Sequence, residues 1–237
     1  MGKMKGIQIV KPEELRIIET DIPELNDTDN VLVKIKAAGI CGSDVGIYHG
    51  TNAAATYPRI IGHEMVGEVV QTSPSARKVK TGDRVIIDQV KSCGHCWACR
   101  HNRPNVCQHL QVRGVHIDGG YREYMAVPDT DCYLLPDSLR YEDAVLIEPT
   151  TIALQACSRA EIAPDDEVLI MGVGALGSRM LSIARLSGAK IIAADVVDER
   201  LQEAVENGAD YTVNLLKEDL GAKLKKYTTR SEERRVG

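Results

Sequence analysis

Four of the seven cysteines fall within fifteen residues, as Cys93-x2-Cys96-x2-Cys99-x7-Cys107. Three thiolates spaced by two residues can wrap one ion, and a fourth closes the tetrahedron that Zn²⁺ accepts from sulfur. A closed four-sulfur site leaves no position for substrate, so it reads as structural. An iron–sulfur cluster also takes four cysteines and is the competing occupant. Unligated core cysteines fit poorly, because the loop over residues 91–107 is too polar for an interior. His95, His101 and His109 lie nearby but are surplus to an ion already saturated by sulfur.

Two further groupings could do chemistry. Gly172-Val173-Gly174-Ala175-Leu176-Gly177 matches G-x-G-x-x-G, a pattern that carries weight only between a strand and a helix. A buried-strand pattern does end at Met171, and a helical one begins near Ala175. Gly172, Gly174 and Gly177 then permit a tight turn, close approach of a pyrophosphate to the helix N-terminus, and helix–strand packing. Asp195 closes the next strand pattern eighteen residues after Gly177. A carboxylate there grips a ribose 2′-hydroxyl and repels a 2′-phosphate, which favours NAD over NADP. Its bland reading is the N-cap of the following helix, a position that Asp198 fits better. The last grouping is Cys41-Gly42-Ser43-Asp44 after one strand and Gly62-His63-Glu64 before another. Taken singly, such a Cys or His is more often structural than a ligand.

The elements that position these residues change character near residue 160. From residue 5 to about 135 short alternating runs, such as Val31-Leu32-Val33-Lys34-Ile35-Lys36 and Arg84-Val85-Ile86-Ile87, are separated by turn signals such as Thr81-Gly82-Asp83. That pattern predicts a mostly antiparallel β domain over residues 1–160, with residues 142–160 as a helical connector. Beyond it, Glu167-Val168-Leu169-Ile170-Met171, a helix carrying Leu176, Met180, Leu181, Ile183, Ala184 and Leu186, the strand Ile191-Ile192-Ala193-Ala194, a helix over 199–207 and the strand Tyr211-Thr212-Val213 follow one another. Strand, helix, strand, helix, strand is the first half of a doubly wound parallel sheet, placed at 161–228.

With 237 residues, at roughly 150 per domain, the chain is one large domain or two small ones. A net charge of −5 and an aromatic content of 4% supply neither a basic face nor a base-stacking platform, which argues against a nucleic-acid partner. No apolar run approaches the ~20 residues of a membrane helix, and the N-terminus lacks the apolar core of a signal peptide. The expected location is therefore cytoplasmic, where thiols stay reduced and cysteines serve as metal ligands in place of disulfides.

Several motifs, modest alone, occur together in a fixed order: Cys41-Gly42-Ser43-Asp44, Gly62-His63-Glu64-x2-Gly67, Lys80-Thr81-Gly82-Asp83-Arg84-Val85, the four-cysteine lobe, Gly119-Gly120-Tyr121-x-Glu123-Tyr124 and Glu148-Pro149. In them the sequence resembles the zinc-dependent medium-chain alcohol dehydrogenases, over residues 5–227. Its nearest flavour is the polyol, threonine and sugar-acid branch, particularly the L-galactonate/L-gulonate 5-dehydrogenase-like enzymes. The resemblance implies an α/β protein with a β-rich part, a GroES-like catalytic domain followed by the first half of a Rossmann domain. It implies two zinc ions, a structural one on Cys93, Cys96, Cys99 and Cys107 and a catalytic one on Cys41, His63 and Glu148. Glu64 would be a direct ligand in one state or a neighbour of the ligands. Glu148 has a blander reading as a helix-start carboxylate. Ser43 would accept the proton of a small-molecule alcohol substrate, whose hydride passes to NAD. Arg200 would flank the adenosine ribose, and the backbone around Leu176 would touch the pyrophosphate. The full-length parent is expected to be a homo-oligomer.

Two departures stand out. Gly46 occupies the place of a proton-relaying histidine, for which Tyr48, His49 or water could substitute, and Ser73 replaces a usual glycine. The ending Thr229-Arg230-Ser231-Glu232-Glu233-Arg234-Arg235-Val236-Gly237 is polar and matches nothing expected of the family. It reads as a non-native tail on a C-terminally truncated chain that lacks the nicotinamide half of the cofactor site. Alternatives are an inactive fragment of such an enzyme and a zinc-ribbon binding module, the latter leaving the glycine loop unexplained.

Overall fold

The alternating runs form strands in the computed structural model, which describes residues 2–228; the tail over 229–237 lies outside the described residues. In chain order the elements are β1 (Lys3–Lys11), β2 (Glu14–Asp21), β3 (Val31–Ala38), α1 (Gly42–Tyr48), β4 (Arg59–Ile60), β5 (Met65–Thr72), β6 (Arg84–Ile87), β7 (Val90–Lys91), α2 (Trp97–Arg100), β8 (Gln111–Val112), β9 (Tyr124–Val127), β10 (Cys132–Leu134) and α3 (Tyr141–Ala144). There follow α4 (Ile147–Ala160), β11 (Glu167–Met171), α5 (Ala175–Ala184), β12 (Lys190–Asp195), α6 (Asp198–Glu206), β13 (Tyr211–Asn214) and α7 (Leu220–Tyr227). The chain divides into two compact units between Leu146 and Ile147.

The first unit is built on a five-stranded antiparallel sheet of order β10-β6-β5-β3-β9, with a second sheet β2-β1-β4 and a small β7-β8 pair. Period two decides which residues face in: Val31 and Val33 of β3, Met65 and Val69 of β5, Val85 and Ile87 of β6, and Met125 and Val127 of β9 form one apolar cluster. Each such side chain contributes about 1.5–3 kcal/mol when buried. The cluster fixes the sheet's register, because a one-residue slip would turn that whole set outward. β3 therefore delivers its end to Cys41, and the segment between β4 and β5 delivers His63 and Glu64.

The second unit is a parallel sheet of order β11-β12-β13, with Met171 paired to Ala194 and Asp195 to Asn214. Ile170, Leu181, Ala184, Ile191, Ala193, Leu201 and Ala204 make its core. The helical spacing predicted an inward Leu176 and Leu186, yet both are exposed. α5 stops at Ala184, and a 3-10 turn over Arg185–Ser187 followed by Gly188 at φ +85° swings Leu186 out. The stretch over 142–160 is not one connector. It is two helices, and α4 packs on α5, where the Cys157 thiol donates to the Met180 carbonyl at 3.7 Å and joins the core beside Leu181. That packing puts the division ahead of α4, where sequence reading drew it at residue 160.

Asp198 does not cap α6; the cap position is Val197, and Asp198 instead accepts from Asn214 Nδ2 at 2.6 Å and pairs with Lys217. A different carboxylate holds the first unit's surface. Asp129 is buried, accepts from the backbone N–H of Arg77 at 2.6 Å and of Lys78 at 2.9 Å, and has its own N–H on Asn30 Oδ1 at 2.8 Å. The Arg77 amide, joined by that of Lys78 and by Asn30, holds the Asp129 carboxyl below its ordinary range against the opposing effect of burial. A depressed pKa stabilises the fold above the unfolded value of about 4 and stops doing so as pH falls through the folded value. Asp129→Asn should therefore lower stability at neutral pH, with the gap to wild type closing below about pH 4; urea titrations across that range would show it, and a pH-independent gap would contradict it.

Candidate metal and dinucleotide sites

The four-cysteine loop gathers its sulfurs as the spacing predicts. All four Sγ atoms lie within 4.8 Å of one another, with Cys93–Cys99 at 4.0 Å, Cys96–Cys99 at 3.5 Å and Cys96–Cys107 at 3.8 Å. Tetrahedral Zn–S bonds of about 2.3 Å place sulfurs ~3.8 Å apart, so the donor set fits that ion. The loop around α2 puts backbone N–H groups on the sulfurs, Cys96 N on Cys93 at 3.4 Å, and Cys93 N and His109 N on Cys107 at 3.3 Å. Donors of this kind favour the thiolate, the form that binds metal. Backbone N–H groups of Cys99 and Gln108 pull the Cys96 thiol down to about 6. Cys107 is lowered by the N–H of Cys93, despite burial. The histidines stay outside the set: His95 Nδ1 sits on the Cys93 carbonyl, and His101 Nδ1 on that of Trp97.

A second cluster joins Cys41, His63 and Glu64, whose ligand atoms also lie within 4.8 Å of one another. Cys41 precedes α1, and Asp44 in its first turn accepts from Cys41 N at 2.9 Å through Oδ2. The other oxygen, Oδ1, faces His63 Nδ1 at 3.6 Å, an ion-pair distance too long for a hydrogen bond. Both of those buried atoms lack a hydrogen-bond partner. Burial disfavours the His63 imidazolium, but Asp44 and Cys41 together outweigh it and lift its pKa to about 9. Burial pushes the Glu64 carboxyl up. Sulfur, imidazole and carboxylate thus surround a point that favours positive charge, and the donor set suits a zinc ion. Glu148 is also buried, but at the start of α4 in the second unit, and the carboxylate gathered with Cys41 and His63 in the first unit is Glu64.

Ser43 stands in the first turn of α1, half-buried. Both candidates for the missing relay histidine turn to Glu13: His49 Nδ1 lies 2.6 Å from its carboxylate, and Tyr48 Oη donates to its carbonyl at 3.4 Å. Sequence reading gave no role to Asp44 or Tyr121. Asp44 does stand three residues beyond Cys41, a spacing at which a carboxylate reaches back to the backbone of a helix start. Tyr121 gives no local signal, since its hydroxyl partners are 77 and 82 residues away in sequence. Burial first, then the Asp44 charge, pushes its phenol well above the usual range, so it remains a donor.

In the second unit, Gly172 has φ +85°, and a Cβ on Gly177 would lie 1.8 Å from the Gly172 carbonyl oxygen, so only glycine allows α5 to start so close to β11. Gly174 is the N-cap of α5, and a Cβ there would be 3.8 Å from an Arg200 guanidinium nitrogen. Asp195 is buried at the end of β12. Its Oδ2 accepts from Val173 N at 2.8 Å, and Oδ1 accepts from Val196 N at 2.7 Å and Val197 N at 3.0 Å, with Arg200 Nη1 3.8 Å away. An ionised carboxylate has about four acceptor sites, so three amides leave one for a further donor. The exposed Leu176 side chain leaves its backbone at the helix start.

Residues 27–137 match the alcohol dehydrogenase GroES-like domain, and residues 175–232 match the zinc-binding dehydrogenase domain. The chain belongs to the zinc-binding medium-chain alcohol dehydrogenase family. The solved structure of the Escherichia coli CFT073 short chain alcohol dehydrogenase (rspB), complexed with NADH, is similar at a TM-score of 0.88 and 40% identity, covering 95% of this chain and 66% of that one. The L-galactonate-5-dehydrogenase of Escherichia coli (strain K12) is 37% identical over 84% of this chain and 58% of that protein. The sorbitol dehydrogenase of Bacillus subtilis (strain 168) is 34% identical over 95% of this chain and 65% of its own length. The chain thus spans less than two thirds of the length of these curated relatives. Among the described residues, no helix is long and apolar enough to cross a membrane.

Cys96→Ser should remove one zinc ion per chain and lower the melting temperature of the first unit, while leaving metal bound through Cys41. Metal analysis of the purified variant would check this; unchanged zinc content, or iron with acid-labile sulfide in the wild type, would contradict it.

Proposed function

We propose that the protein from which this sequence comes oxidises a secondary alcohol of a polyol or sugar acid, transferring its hydride to NAD. The observation that carries the reading is the cluster of half-buried Cys41 with buried His63 and Glu64, and the Asp44 carboxylate behind the imidazole. The sugar-alcohol and sugar-acid dehydrogenases among its relatives support the substrate class. When bound, zinc supplies Lewis acidity toward an alcohol and NAD supplies a hydride acceptor. Cys41, His63 and Glu64 would hold the catalytic ion, and Cys93, Cys96, Cys99 and Cys107 would hold a structural one. Ser43, two residues beyond Cys41, takes the proton released by the alcohol. With Gly46 lacking a side chain and both His49 and Tyr48 engaged by Glu13, that proton continues to solvent.

Gly172, Gly174 and the backbone at Leu176 receive the pyrophosphate at the start of α5, and Gly177 keeps that helix against β11. The free acceptor site of Asp195 takes a ribose hydroxyl, with Arg200 beside it. A 2′-phosphate would meet a buried carboxylate, so NAD is preferred to NADP. No nucleic-acid or membrane partner is part of this reading; the substrate is a small alcohol and the full-length protein a homo-oligomer in the cytoplasm.

The test is turnover. Zinc-loaded full-length protein should reduce NAD with a panel of polyols and sugar acids. Cys41→Ser should abolish the activity, and Ser43→Ala should reduce kcat by a factor of ~10²–10⁴ without loss of metal. Asp195→Ala should narrow the preference for NAD over NADP. Full activity in Cys41→Ser, or a wild type that prefers NADP, would refute the reading.

A further inference from the structure

Tyr121 touches every segment that carries a ligand of the Cys41–His63–Glu64 cluster. Its ring lies against the backbone just ahead of His63: Gly62 has φ +94°, and a Cβ there would sit 2.3 Å from Tyr121 Cδ1. The two backbones are also paired, through Gly120 N on Gly62 O at 2.8 Å and Tyr121 N on Ile61 O at 3.0 Å. At its other end, the hydroxyl lies 2.7 Å from the Gly39 carbonyl and 3.1 Å from Asp44 Oδ2. Gly39 is two residues before Cys41, and its N–H donates to the Glu64 carbonyl at 2.8 Å. Asp44 Oδ2 is the oxygen that takes Cys41 N, while its partner oxygen faces His63.

We infer that Tyr121 is a positioning residue for the metal, its hydroxyl setting the Asp44 carboxylate against His63 and its ring setting the spacing of the Cys41 and His63 segments. The role divides cleanly between the two parts of the side chain. The ring fills the space that Gly62 leaves, and phenylalanine preserves that contact. The single hydroxyl proton is shared between Asp44 Oδ2 and the Gly39 carbonyl just past β3; without it the carboxylate loses a donor and is free to rotate away from the imidazole. Partners behind a metal ligand commonly change affinity by ~10–100-fold when removed. The inference rests on the reading of Cys41, His63 and Glu64 as a metal site.

The experiment is Co²⁺ titration in competition with a chromophoric chelator, on the whole chain with zinc already in the four-cysteine site. The wild type should bind one Co²⁺ that Cys41→Ser does not; if the two bind alike, the metal-site reading fails and this inference with it. Tyr121→Phe should bind that Co²⁺ about 10–100-fold more weakly, with an altered visible absorption band, while retaining its zinc and its melting temperature. Asp44→Asn should weaken binding similarly, and the double variant should be no weaker than Asp44→Asn alone, because the hydroxyl acts through the carboxylate. Wild-type affinity in Tyr121→Phe, additive losses in the double variant, or proportional weakening of both metal sites would each overturn the positioning role while leaving the site itself intact.

Discussion

Taking the Asp44 carboxylate out of water is costly unless donors replace the water it leaves. Around this residue they do so at one oxygen: the Cys41 amide and the Tyr121 hydroxyl share Oδ2, while Oδ1 has no hydrogen-bond partner and faces the His63 imidazole at 3.6 Å. Those groups come from the start of α1, from the segment before β9 and from the segment before β5. The buried charge meets two donors and an opposing imidazole only when all three are in place, so the carboxylate ties the three segments together. Burial tends to raise the Asp44 pKa, yet His63, the Cys41 amide and Tyr121 together lower it. The group stays ionised inside the fold, and a negative charge held behind an imidazole makes that imidazole a better ligand for a cation.

Much of this architecture was legible because period and spacing are local properties. Val31, Val33, Val85 and Ile87 alternate, and they face one core. The glycines of the loop after Met171 and the two-residue spacing of Cys93, Cys96 and Cys99 act within a few residues of chain, and the structure shows the tight glycine turn and the gathered sulfurs. What could not be read was set by contacts across long stretches. Tyr121 reaches Gly39 and Asp44 through a pairing of segments that no periodicity announces. The boundary of the second unit depended on whether α4 packed forward onto α5, and an apolar helix gives no sign of which neighbour it will choose. Asp198 had the right type and place for a cap, but Asn214 and Lys217 were nearer partners for its carboxylate. Leu186 kept the helical period past the point where the backbone stopped obeying it.

The two units divide the chemical labour along the chain. The first collects soft and borderline donors, sulfur and imidazole, on an antiparallel scaffold whose strands run outside the cysteine lobe. The second presents backbone N–H groups at the start of a helix, with a carboxylate at the next strand end, on a parallel scaffold. Each has its own apolar cluster, one around Met65 and Val69 and the other around Leu181 and Ile191. Membership of the zinc-binding dehydrogenase family follows from both parts together, since neither cluster of ligands nor a glycine loop is distinctive alone.

The brace that Asp195 places on Val173 bears on entropy. A loop with three glycines in six residues has more conformations to lose than a glycine-free loop of that length. Left open, it would have to be ordered by whatever bound there, and that ordering would be subtracted from the affinity. The hydrogen bond from Val173 to Asp195 fixes the middle of the loop during folding, between Gly172 and Gly174. The entropy loss therefore falls on folding, where it is shared with the core of the parallel sheet, and on the proposed reading a nucleotide arriving at α5 would meet donors that are already aligned. Preorganisation of this kind strengthens binding without adding a single contact to the ligand.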